Sequence, residues 1–137
     1  VPTANVVACA DRQLMDFLGW CMEQDFYEDS VIVITGDHPR MDKFLVEDVE
    51  DYYDRTVYNC FINSAKEPSG STANRDFTTL DMFPTILSSM GFEIEGSRLG
   101  LGVDMFSGEP SLCETMGFEA LEEETKKYSK YYIENFS

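Results

Sequence analysis

The chain is predicted to be an α/β protein, and three features of the sequence carry that prediction. An amphipathic helical pattern over residues 5–24 runs, after a short turn, into the continuous β-branched stretch Val31-Ile32-Val33-Ile34. A second run of strand-forming residues spans 57–63, and a second amphipathic helix spans 79–90. Helix, short loop and buried strand make half of a βαβ unit. The 137 residues suffice for one domain with a core and hardly for two. The strand that should precede the first helix is missing from this sequence, so residues 1–137 are expected to be the later part of a larger α/β domain.

Each element has its own grounds. In the first helix Val7, Ala10, Leu14, Phe17, Leu18 and Cys21 recur at spacings of three and four. The strand at 31–35 is expected to lie inside a sheet, buried on both faces, with that helix packed on it. The acidic segment 41–55 is read as a solvated surface, with a short helix as the alternative. Val-Tyr-Asn-Cys-Phe-Ile-Asn at 57–63 is the second strand, and 64–74, with Pro68, Ser69, Gly70 and Ser71, is a loop. In the helix at 79–90, Leu80, Phe83, Ile86, Leu87 and Met90 are the expected core face, Pro84 sits within the first turns, and Gly91 ends it. The glycine-punctuated segment 91–108 is read as a structural loop, because it lacks the Lys-Ser/Thr that completes a phosphate-binding loop. A last helix is predicted over 118–136, laced by Glu122/Lys126 and Glu123/Lys127, with Tyr128, Tyr131, Tyr132 and Phe136 packing against the domain.

Composition narrows the function. The chain is 43% hydrophobic and 13% aromatic, as folded globular proteins are. A formal net charge of −16 argues against nucleic acid as a partner. An anionic substrate requires a bound cation to dominate the local field. No stretch approaches the ~20 apolar residues of a membrane span. There is no leader-like segment at the start, and Val1 reads as a cut end. The four cysteines, at 9, 21, 60 and 113, have no C-x-x-C spacing and are expected to be buried free thiols.

The candidate site follows the first strand. Thr35-Gly36-Asp37-His38-Pro39 places an acid and the only histidine beyond the carboxyl end of a strand, where open α/β sheets hold their ligands. A carboxylate and a neutral imidazole are both ligands for a divalent metal. Gly36 permits the turn that brings the two side chains to one ion, and Pro39 holds His38 extended. The alternative is a solvated Asp-His pair in a plain strand-to-loop turn.

The helix containing Ala10-Asp11, followed by residues 24–38 from Gln24-Asp25-Phe26 through Ile34-Thr35-Gly36-Asp37-His38, resembles the late part of sulfatase-like domains of the alkaline phosphatase superfamily. Lipoteichoic acid synthases and phosphoglycerol transferases are the branch it most resembles. Thr79-Leu80-Asp81-Met82-Phe83-Pro84-Thr85-Ile86-Leu87, then Gly91, then Leu99-Gly100-Leu101-Gly102-Val103-Asp104-Met105-Phe106, are similar to the same branch in the same order. The resemblance implies a central mixed sheet with flanking helices, of which this chain is the C-terminal portion. It implies that Asp37 and His38 ligate Mn2+ or Mg2+, at a site this chain alone leaves incomplete. The catalytic threonine, a further acidic ligand and a substrate histidine would belong to preceding sequence, and Thr35 does not match the nucleophile's motif. The implied activity is transfer of glycerol phosphate from a lipid-linked donor to a cell-envelope glycan or polymer. It would take place on the extracellular face of a membrane anchored by helices this sequence lacks.

Two other functions compete with this one. The first is a sulfate or phosphate ester hydrolase on the same fold, which a cysteine or serine nucleophile in sulfatase context would favour. The second is a non-catalytic interaction fragment, which is how the isolated chain is expected to behave.

Overall fold

The computed structural model describes residues 3–39, 53 and 56–136. The acidic segment expected to be solvated, and the possible helix within it, lie outside the described residues apart from Tyr53 and Thr56 beside them. The chain is mixed α/β, with two small antiparallel sheets and several helices. It divides into two compact units, one ending at Ser64 and one beginning at Ala65.

In the first unit, helix α1 (Thr3–Met22) leads through a 3-10 turn (Tyr27–Asp29) into strand β1 (Ile32–Thr35), which pairs with β2 (Asn59–Ile62). Both strands fall within the predicted ranges. The pairing is antiparallel, with Ile32 opposite Ile62 and Thr35 opposite Asn59. This corrects the expectation of an internal strand buried on both faces: Ile32, Val33 and Ile34 are half-buried, and among the described residues β1 has one pairing partner. A β-branched run specifies extended backbone and apolar faces, but neither the direction nor the number of its neighbours. Helix α1 also differs from expectation, since Cys21 is its one buried residue. Its aromatic residues gather on each other instead: Phe17 stacks on Trp20 at 5.8 Å, and Phe26 meets Trp20 edge-on at 6.0 Å.

The second unit is built on helix α2 (Thr79–Ser89) and a small hairpin of β3 (Arg98–Leu99) and β4 (Gly102–Val103). Thr78 caps α2: its hydroxyl accepts from Leu80 N, and Asp81 Oδ2 accepts from Thr78 N at 2.9 Å. The face α2 buries departs from the predicted one, of which only Ile86 and Leu87 are half-buried. Asp81, Pro84, Thr85, Ser88 and Ser89 are buried, whereas Phe83 is 60% exposed and Leu80 and Met90 also face solvent. Hydrogen bonding explains the burial of the polar residues, because every polar group on that face has a partner. Asp81 Oδ1 accepts from Val103 N at 2.9 Å, and Thr85 Oγ1 accepts from Met105 N at 3.0 Å. Ser88 Oγ donates to the fully buried Asp104 at 2.7 Å.

Pro84 and Gly102 complete this packing. Proline cannot donate to the Leu80 carbonyl, as a residue at that helical position otherwise would. Gly102 comes so near that a Cβ on it would lie 2.0 Å from that oxygen. The segment expected to be a loop therefore holds a hairpin pressed on the helix.

The predicted last helix is two pieces, with a further short helix before it. Helix α3 (Leu112–Met116) precedes the predicted span, and α4 (Phe118–Thr125) and α5 (Lys130–Phe136) divide it. Lys126 pairs with Glu122 at 3.1 Å as expected, whereas Lys127 pairs with Glu124 rather than Glu123. The tail aromatics do not pack inward: Tyr128 is 75% exposed, and Phe136 stacks on Tyr132 at 5.7 Å.

Candidate metal centre

The turn after β1 is shaped from the β2 side. Gly36 N donates to Tyr58 O at 2.9 Å, extending the ladder one residue past Thr35. A Cβ on Gly36 would lie 3.1 Å from the Val57 Cβ, so glycine suits this close approach. The next two residues are Asp37 and His38.

Their side chains are held in a defined arrangement. Asp37 Oδ1 accepts from His38 N at 2.9 Å, which leaves Oδ2 free of that bond. His38 Nδ1 lies 3.0 Å from Pro39 O. A carbonyl oxygen only accepts, so this contact places the proton on Nδ1 and the lone pair on Nε2. Nε2 and Asp37 Oδ2 face each other at 3.4 Å. Two lone pairs so placed repel unless a cation lies between them. Metal–donor bonds of ~2.1 Å meeting at right to tetrahedral angles separate their donors by roughly 3.0–3.4 Å. The 3.4 Å separation is compatible with a shared divalent ion. A doubly protonated imidazole would instead make a stretched ion pair, the solvated alternative.

The site is open, with the side chains of Asp37 and His38 88% and 56% exposed. Among the described residues no third His, Cys, Asp or Glu joins them. Two donors are fewer than the three a catalytic site ordinarily takes from protein. Thr35 Oγ1 donates to Asn59 Oδ1 at 2.6 Å. No sequence signal singled out Asn59, which stands 24 residues from its partner.

A cleft of about 390 Å3 lies in the other unit and is lined by Gly70, Ser71, Arg75, Gly108, Pro110 and Glu114. Arg75 reaches Glu114 through Nε at 2.5 Å and Nη2 at 2.8 Å, and Nη2 also donates to Glu109 O at 2.7 Å. These bonds, with help from the Ser111 amide, hold the Glu114 carboxyl well below the usual range, at about 2. The pair neutralises itself, so the cleft offers no unbalanced positive charge to an anion. Burial, then the carboxylates of Asp76, Asp81 and Glu114, push the thiol pKa of Cys113 up, which disfavours its thiolate. All four cysteines are free; Cys21 and Cys113 are buried as expected, Cys60 is half-buried and Cys9 is exposed.

No family model matches the chain, and neither the curated proteins nor the solved structures compared with it give a match. No described helix is long and apolar enough to cross a membrane.

Proposed function

We propose that the chain is the C-terminal part of a metal-dependent phosphoglycerol transferase of the sulfatase-like, alkaline-phosphatase-superfamily kind. The observation that carries this reading is the facing pair of Asp37 Oδ2 and His38 Nε2, each held from behind by a separate hydrogen bond. It stands in the segment whose order of motifs resembles that family. Mn2+ or Mg2+ bound there would supply Lewis-acid polarisation of phosphate oxygens and a lowered pKa for a hydroxyl nucleophile. Asp37 supplies the anionic ligand and His38 the neutral one, with Pro39 O fixing the imidazole tautomer. The nucleophile and the remaining ligands come from preceding sequence. The donor is a lipid-linked phosphoglycerol at the outer face of a membrane, and the acceptor is a hydroxyl of a cell-envelope glycan or polymer.

On this reading the isolated chain does not turn over, because it lacks the nucleophile and supplies two ligands. The test incubates this chain and the full extracellular domain, separately, with manganese and a phosphatidylglycerol analogue. Glycerol phosphate transfer by the full domain, abolished by Asp37→Ala or His38→Ala, is the expected result. Release of free phosphate or sulfate without transfer would replace this reading with an ester hydrolase. Equal turnover by the short chain would mean the active site lies elsewhere.

A further inference from the structure

The end of the β1–β2 ladder is tied by side chains as well as backbone, immediately before the two metal donors. Thr35 and Asn59 are register partners. Thr35 has one hydroxyl proton and two acceptors in reach, Asn59 Oδ1 at 2.6 Å and Gly36 O at 3.3 Å, so the bond to Asn59 dominates. Asn59 in turn donates through Nδ2 to Val57 O at 3.3 Å. Val57 is the residue against which Gly36 packs, and Tyr58 accepts the Gly36 amide. Three consecutive residues, Asn59 at the start of β2 and Val57 and Tyr58 just before it, thus fix Thr35 and Gly36, and the chain then delivers Asp37 and His38. A ladder end is closed by its backbone bonds alone; the Thr35–Asn59 bond adds a constraint on where the turn starts. Chelation is sensitive to that start, since donor atoms must be held to within ~0.5 Å of productive geometry.

We infer that Thr35 and Asn59 are positioning residues for a divalent cation held by Asp37 and His38. Neither touches the ion; both act through Gly36 and the turn. The inference rests on the metal reading above, and its test separates the two.

MnCl2 is titrated into the full 137-residue chain while the imidazole proton signals of His38, the only histidine, are followed by NMR. Thr35→Val removes the donor with little change of shape, Thr35→Ser keeps it, and Asn59→Ala removes the acceptor from the other strand. Half-maximal broadening should need about tenfold more Mn2+ in Thr35→Val and in Asn59→Ala, and return to within about threefold of wild type in Thr35→Ser. Far-ultraviolet circular dichroism of the metal-free variants should match wild type, which a general loss of folding would not give. Should wild type broaden and both Thr35→Val and Asn59→Ala broaden at the same Mn2+ concentration, the positioning role is wrong while the metal site stands. Absence of selective broadening in wild type overturns both.

Discussion

Replacing Asp104 by alanine tests whether the second unit is held by its polar interior. Asp104 is fully buried between α2 and the segment after β4. Its Oδ2 accepts from Lys66 Nζ at 2.7 Å and from Ser88 Oγ at 2.7 Å, and its Oδ1 accepts from Phe106 N at 2.9 Å. Truncation deprives the fully buried Ser88 hydroxyl of its acceptor, a penalty of about 1–3 kcal/mol, and takes a carboxylate acceptor from the Phe106 amide at similar cost. The ammonium adds less, because the Lys66 side chain is 38% exposed and can turn towards water. The sum is about 2–6 kcal/mol, which brackets the ~3–5 kcal/mol for breaking a buried charged pair from one side. Urea unfolding at pH 7, followed by far-ultraviolet circular dichroism, measures it directly. Lys66→Met should cost clearly less, and the double variant should be less destabilised than the two single losses added together. A loss below about 1 kcal/mol for Asp104→Ala would refute the view that this network organises the unit.

Two further perturbations follow from the same unit. Glu114→Gln should destabilise by about 1–2 kcal/mol at neutral pH, less than the full linkage value of about 3 kcal/mol because the ion pair is partly solvated, with side chains 14% and 21% exposed. The folded carboxyl titrates at about 2, below its unfolded value, so this stability is present above about pH 4.5 and is lost as pH falls towards 2. Thermal midpoints of the two proteins should therefore converge between pH 5 and pH 2.5 (each about), and a gap that stays constant would contradict the assignment. Gly102→Ala sets a Cβ 2.0 Å from the Leu80 carbonyl oxygen, a backbone group in the helix that cannot swing aside. The hairpin must move off α2, at a cost of about 1–3 kcal/mol in chemical denaturation, and a neutral substitution would mean the close approach is not fixed.

What could be read from the sequence divides by kind of information. Local signals worked: the period of α1, the β-branched run of β1, and the helical period at 79–90 with Gly91 beyond it all depend on neighbours within a turn or two. Pairing partners were less accessible, since extended propensity at 31–35 and 57–63 does not say that the strands run antiparallel. The buried polar face of α2 was hidden for a more specific reason. Asp81, Thr85 and Ser88 are buried only because Val103, Met105 and Asp104 return to meet them 16 to 22 residues later. Hydrophobic periodicity carries no record of such partners. The break between α4 and α5 was missed because the 3.6-residue pattern continues across it while the helix itself does not. At the candidate centre, Asp37 and His38 were legible as residue types at a strand end. The Thr35–Asn59 bond and the Nδ1 contact with Pro39 O are matters of geometry.

The central claim is that Asp37 Oδ2 and His38 Nε2 share a divalent ion. Crystals of the chain grown with manganese, measured for anomalous scattering, address it most directly. A manganese peak is expected about 2.0–2.3 Å from both atoms, with water completing the shell, and it should disappear in Asp37→Ala and in His38→Ala. A well-ordered Asp37–His38 turn with no peak between the two side chains, or manganese bound only to carboxylates elsewhere on the chain, would contradict it.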